Sequence, residues 1–271
     1  MLKIIDCFIF YNELDLLNYR LNILDNLVDY FVIVEATHTF TGKEKQLYFN
    51  ENKHLFEKFN KKIIHIIVDD LPYIYPNINF ENNEQWRNEF FQRNAMSRGL
   101  KYINNLHDSD VIIVSDLDEI PDPYVLDKIK KGDIVIDIYS LEMDMYYYNL
   151  ITKHKNKWLL CKILNYKKYK ELNMKFDDIR NMPCCRILNS GWHLSYFGDK
   201  YFIKNKINHF SHQEYNNDNY TDLSIIEERI NNSTDLYGRT EIDIEKIQIK
   251  DNQYLPTDYD KYLKNYYQHQ L

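Results

Sequence analysis

Apolar and polar positions alternate most legibly in the first half of the chain. Lys3 to Phe10 is an apolar run suited to a strand. The polar turn Tyr11-Asn12-Glu13 follows, and Leu14, Leu17, Leu21 and Leu24 then recur at helical spacing to about Asn26. Tyr30 to Glu35 predicts a second strand ending in an acid, and Ala36 to Tyr48 a polar loop holding Gly42. Leu55, Phe56 and Phe59 share one face of a short helix near Asn52 to Asn60, and Ile63 to Val68 reads as a third strand. Asp69 to Phe80 contains Pro72 and Pro76 and is loop. Glu81 to Asn105 is proline-free and carries Trp86, Phe90, Phe91, Leu100 and Ile103, which predicts one long helix with Gly99 as its weak point. A strand at Val111 to Val114, a helix from Pro123 to about Lys130 and a strand at Asp133 to Tyr139 complete the alternation. The expected fold is α/β, with a mostly parallel central sheet and helices on both faces.

The strand at Val111 runs into Ser115-Asp116-Leu117-Asp118-Glu119-Ile120-Pro121-Asp122-Pro123. Asp122 suits a helix N-cap and Pro123 the first helical position. Three carboxylates therefore sit on a strand-to-helix turn, where open α/β sheets bind ligands. Anions this close repel unless a cation stands between them, and oxygen ligands of this kind suit Mn²⁺ or Mg²⁺. Such a D-x-D turn can hold a divalent cation against the two phosphates of a nucleotide-sugar. The plainer alternative is an acidic loop with a helix cap.

Beyond Ser140 the pattern loosens. Leu141 to Leu150 is aromatic and strand-like, Trp158 to Lys170 includes a strand, and Arg186 to Leu194 encloses Gly191-Trp192-His193. Thr221 to Asn231 predicts a helix capped by Thr221 or Asp222, with Leu223, Ile226 and Ile230 on one face. No repeat or flexible linker interrupts the chain. One domain over 1–271 is expected: a nucleotide-sugar-binding half to 139, an irregular acceptor-side half over 140–240, and a Tyr-rich tail over 241–271.

Composition narrows the partners. The net charge is −7 with no basic block, which argues against nucleic acid. The 24 Tyr, 14 Phe and 3 Trp fill core and offer some faces to sugars. Cys7, Cys161, Cys184 and Cys185 form no C-x-x-C pair, so neither zinc nor a redox motif is indicated. An acid interrupts the first six residues and no window approaches 18 apolar residues; a soluble, cytoplasmic chain without signal peptide or transmembrane anchor is expected, in the host-cell cytoplasm if viral.

For a sugar-nucleotide site the candidates are these. Asp116 and Asp118 hold the metal, with His193 completing its shell. Glu35 and the first-strand loop, with Glu13, hold the nucleoside. Arg87 and Arg93 reach phosphate oxygens, although helix arginines are more often simply solvated. Glu119, Asp199 and Glu214 are candidate bases, with Glu214 preferred from the cluster His209, His212 and Glu214. A phosphatase of the haloacid-dehalogenase type also uses D-x-D after a strand, but near the N-terminus and with Thr or Val where Ile120 stands. A catalytically inactive sugar-nucleotide-binding protein is a third reading, and the intact acidic turn argues against it.

The chain resembles the β-1,4-mannosyl-glycoprotein 4-β-N-acetylglucosaminyltransferases, which make the bisecting GlcNAc of N-glycans and have bacterial and viral relatives. The resemblance rests on Asn12-Glu13-Leu14-Asp15-Leu16-Leu17, Val28-Asp29-Tyr30-Phe31-Val32-Ile33-Val34-Glu35, Thr41-Gly42, Leu47-Tyr48-Phe49, Val68-Asp69-Asp70-Leu71-Pro72, Ser115 to Pro121, and Gly191-Trp192-His193-Leu194-Ser195-Tyr196. It implies a Rossmann-like nucleotide-diphospho-sugar transferase fold of the GT-A type. It also implies UDP-GlcNAc as donor, Mn²⁺ as cofactor, a glycan or glycoprotein acceptor, and inversion at the anomeric carbon. Asp116 and Asp118 match the family's metal motif, with Glu119 completing the turn and Trp192 in the matching donor-side stretch. The animal members carry an anchor and stem with no counterpart in these residues, and Ser211-His212-Gln213-Glu214 looks closer to microbial members.

Overall fold

The computed structural model describes residues 2–267. Its strands are β1 (Ile4–Phe10), β2 (Tyr30–Ala36), β3 (Ile63–Val68), β4 (Val111–Asp116), β5 (Glu119–Pro121), β6 (Ile138–Tyr147), β7 (Thr152–Trp158), β8 (Lys162–Asn165), β9 (Arg186–Ser195) and β10 (Ile244–Lys246). They form one sheet in the order β10-β7-β6-β8-β4-β1-β2-β3, with β9 on β6 and β5 on β9. The helices are α1 (Leu14–Leu24), α2 (Tyr48–Glu51), α3 (Glu84–Asn94), α4 (Met96–Leu100), α5 (Pro123–Lys131), α6 (Tyr166–Leu172), α7 (Phe176–Asn181), α8 (Lys200–His209), α9 (Asp218–Thr221), α10 (Leu223–Asn232) and α11 (Tyr259–Tyr262).

The two-residue period of β1 splits its side chains between two cores. Ile4, Phe8 and Phe10 face α1 and α5, whereas Ile5 and Cys7 face the layer of α4 and α7. β4 does the same, with Val111 and Ile113 on the first side and Ile112 and Val114 on the second. A third cluster, built on Tyr147, Tyr196, Ile203, Ile207 and Ile226, packs α8 and α10 against the ends of β6 and β9. The Tyr-rich tail closes over the first core through Tyr254, Tyr262 and buried Leu263. Of the tail segment read from the sequence, residues 268–271 lie outside the described residues.

Several expectations are corrected. The sheet is mixed rather than mostly parallel: β3, β2, β1 and β4 run parallel, but β8 pairs antiparallel with both β4 and β6. The strand expected at Asp133 to Tyr139 begins only at Ile138, runs on to Tyr147, and stands beyond β8 instead of beside β4. The long helix at Glu81 to Asn105 is two helices, entered through left-handed Asn83. Gly99 falls in α4, and the Val32 side chain fills the space its Cβ would need. Helices α7 and α8 are additional to the expected elements. Among caps, Asp122 accepts from the Tyr124 amide, and Asp222, not Thr221, caps α10.

Gly191 pairs with Pro121 across β5 and β9, and there the Ile120 carbonyl oxygen and the Met143 methyl occupy the room a Cβ would take. Gly191→Ala is expected to force β5 and the acidic turn away from β9 at a cost of about 1–3 kcal/mol. Urea unfolding checks this. A midpoint equal to wild type would mean the two strands separate freely.

Candidate active site

The side chains at the end of β4 divide by the same two-residue period. Ser115 points toward α1 and Asp116 toward α3 and α7, where it accepts from Arg93 Nη2 at 3.2 Å and from Arg180 Nη2 at 2.8 Å. Burial would raise the Asp116 pKa, but Arg180 and Arg93 together lower it. Asp118, in the turn between β4 and β5, faces α8 and β9. Its Oδ2 accepts from Lys206 Nζ at 3.1 Å, and its Oδ1 lies 3.5 Å from His193 Nε2. Against the effect of burial, Lys206 and His193 hold its carboxyl far below the usual range.

The turn is shaped from beneath by Arg20, fully buried on α1. Its Nη1 donates to the carbonyls of Asp116, Leu117 and Glu119 at 2.8–2.9 Å, while Nε and Nη2 grip Asp6 at 2.8 and 2.6 Å. Nη2 also donates to Ser115 Oγ at 2.7 Å. A guanidinium supplies this fork of donors because it is planar and always charged.

A cavity of about 490 Å³ opens at the carboxyl edge of the parallel strands and takes in both aspartates, Glu13, Lys45, Trp86, Arg93, His193, Lys206 and Arg239. Five Lys and Arg side chains meet four Asp and Glu on its walls, a mixed charged lining that includes Lys206 and Arg239. Lys45 stands 3.9 Å from Glu35 with its ammonium 5.5 and 5.6 Å from the rings of Tyr11 and Tyr48. Burial pushes its pKa down to about 8, although Glu35 opposes this. Between that value and the ordinary lysine value the unfolded chain holds more of this proton than the fold, so this group's share of stability rises with pH and is lowest below about 8. Lys45→Met is therefore expected to raise Tm at pH 7, by roughly 2–4 °C for each kcal/mol relieved. A lower Tm at pH 7 would show that Glu35 and the rings more than offset burial.

Glu13, Arg93, Asp116, Asp118 and His193 are brought together around this cavity. The other candidates are elsewhere. Glu35 is buried and accepts from the Phe49 amide and His65, pinning the loop after β2 to β3 rather than facing a nucleoside. Arg87 is exposed and donates to Tyr73. Trp192 is core, its indole N–H given to the Tyr254 carbonyl. Asp199 is the N-cap of α8. Glu214 is exposed and paired with His212 at 2.7 Å. Glu119 is fully buried and accepts two bonds from Arg180, at 2.7 and 2.6 Å, with another from Trp158.

Arg20, Lys45, Arg180, Lys206 and Arg239 were missed. For Lys206 a signal existed: Asp199 as cap and Ile203 and Ile207 at helical spacing predict α8, on whose cavity side Lys206 then falls. Arg180 gave none, since α7 is short.

Among the described residues no three His, Cys, Asp or Glu side chains converge on one point. Asp116 has its oxygens engaged by the guanidinium groups of Arg93 and Arg180. Asp118 and His193 do fit a metal as a pair. Adjacent ligands on an octahedral Mn²⁺ or Mg²⁺ stand roughly 3 Å apart, close to the 3.5 Å between their donor atoms. These ions take few protein ligands and fill the rest with phosphate and water. His193 is not a satisfied core histidine either, for its Nδ1 is buried without a hydrogen-bond partner among the described residues.

Comparison with known proteins gives a consistent picture. The sequence model described as glycosyltransferase family 17 matches residues 1–242. Over 113 residues, 41% of this chain, the sequence is 31% identical to the human and rat proteins named beta-1,4-mannosyl-glycoprotein 4-beta-N-acetylglucosaminyltransferase, and 30% identical to the mouse protein of that name. The matched stretch spans about a fifth of those relatives' length, 20% in each. The dehalogenase-type phosphatase reading has no counterpart in these matches. No helix among the described residues is long and apolar enough to cross a membrane.

Proposed function

The chain belongs to glycosyltransferase family 17, and on that premise we propose that it transfers N-acetylglucosamine, with inversion, from UDP-GlcNAc to a hydroxyl of a mannosyl glycan, in a reaction that needs Mn²⁺ or Mg²⁺. The observation that carries this is the Asp118–His193 pair on the wall of the cavity. Four parallel strands ending in an acidic turn support a GT-A-type fold as part of the same proposal. A divalent cation bound by Asp118 and His193 would supply Lewis-acid neutralisation of the diphosphate leaving group. Lys206 adds a second positive charge beside the diphosphate, and Trp86 and Phe90 border the cavity as apolar faces for the nucleoside. Arg180 and Arg93 keep Asp116 and Glu119 from repelling the donor.

The test measures UDP release from UDP-GlcNAc with Mn²⁺, with a chelator, and in His193→Ala. Release that depends on Mn²⁺ and falls about 100-fold in the variant is expected. Equal turnover after chelation overturns the metal assignment, and donor binding without turnover would favour an inactive binding protein.

A further inference from the structure

Glu13 stands on a wall shared by two cavities. It lines the 490 Å³ cavity that holds Asp118, and it also lines a second of about 660 Å³. The two differ in charge. The first mixes five Lys and Arg side chains with four carboxylates, whereas no Lys, Arg or His among the described residues lines the second. Its charged walls are Glu13, Asp15 and Asp199, set among amide groups and rings that include Phe202 and Tyr267. Carboxylates without a cation repel a phosphate but accept readily from hydroxyls, and aromatic faces suit the C–H side of a sugar. Helix α8 joins the two cavities, with Phe202 on the second and Lys206, one turn on, at the first.

Glu13 is also the carboxylate of the donor cavity least committed to the fold. It occupies the N-cap position of α1, yet its side chain caps nothing there. One oxygen accepts from the Asn12 amide at 3.1 Å, and the other lies 3.5 Å from Lys206 Nζ. The remaining acids of that cavity are held: Asp116 by two arginines, Glu89 by Arg93 and Ser211, and Asp118 by Lys206 beside His193. Next to Glu13, Asn12 lines the second cavity with its Oδ1 buried and without a hydrogen-bond partner among the described residues.

We propose that the second cavity binds a neutral, hydroxyl-rich acceptor sugar, and that Glu13 takes the proton from the attacking hydroxyl. The proposal rests on the glycosyl-transfer reading above. The acceptor O–H proton passes to the Glu13 carboxylate, and the freed oxygen bonds to the anomeric carbon of the donor. The bond from that carbon to the phosphate oxygen breaks, its electron pair leaving on the diphosphate.

The experiment uses the full chain with Mn²⁺, UDP-GlcNAc and a mannose-containing N-glycan core oligosaccharide. Donor affinity is measured by calorimetry and transfer by product formation. Glu13→Gln is expected to keep the donor Kd within about threefold and to lower the transfer kcat about 100-fold, the size of a lost general base. Phe202→Ala and Asp15→Asn, on the second cavity, are expected to raise the acceptor KM about tenfold with the donor Kd intact, a loss of uniform acceptor binding. Full transfer kcat in Glu13→Gln, or an unmoved acceptor KM in both cavity variants, overturns this proposal while leaving the donor reading standing. A wild-type protein that does not bind UDP-GlcNAc overturns the donor reading instead, and this one with it.

Discussion

Asp118→Ala is expected to lower sugar transfer by about 10³-fold, equivalent to roughly 4 kcal/mol of transition-state stabilisation. The loss has two sources. Asp118 is the one carboxylate of the acidic turn turned toward both His193 and Lys206. Without it a divalent cation would keep only an imidazole, and Lys206 would lose the partner that fixes its ammonium in the cavity. The matching change at Asp116 acts differently, because Asp116 answers to Arg93 and Arg180. Asp116→Ala should show its effect largely as lost stability, with two buried guanidinium groups short of a partner. Measuring Mn²⁺ affinity by electron paramagnetic resonance alongside turnover separates the two. Equal loss of Mn²⁺ binding in both variants would return the metal to the pair of aspartates.

Arg20→Met is expected to destabilise the fold by about 3–5 kcal/mol, the usual consequence of leaving a buried charge without its partner. Asp6 would stay buried with no cation, and the three turn carbonyls that Arg20 serves would lose their donor. Against a total stability of about 5–15 kcal/mol, such a loss is readable as a fall in the urea midpoint. The double variant Arg20→Met, Asp6→Leu tells stability from shape. Replacing both charges by apolar groups should recover much of the lost stability, yet leave the acidic turn without its support and the enzyme slow. Recovery of full activity along with stability would show that the turn holds its shape without Arg20.

Much of the first half was legible because its signals are local. The runs in β1, β2, β3 and β4, the leucines of α1, and the Asp122-Pro123 cap each depend on neighbours within a few positions. The break between α3 and α4 was hidden because Ala95 and Met96 read as good helix residues. β6 and β9 were harder, since their pairing is long-range and β8, between β4 and β6, is only four residues long. Arg87 and Arg93 look alike in sequence, and their fates differ with the face of α3 they occupy: one exposed, the other buried among Glu89, Asp116 and Asp177.

By itself the sequence determined that a buried strand delivers three acids to a turn, that an α/β sheet surrounds it, and that His193 is chemically suited to stand near. Those follow from periodicity, capping and residue type, all of which act over short stretches. The tertiary structure decided which cation meets which carboxylate. Arg20 from α1, Arg93 from α3, Arg180 from α7 and Lys206 from α8 converge on one four-residue turn. Charge pairing depends on distance and burial between remote elements and leaves no period in the chain. It paired Asp116 with Arg93 and Arg180, Glu119 with Arg180, and Asp118 with Lys206 beside His193.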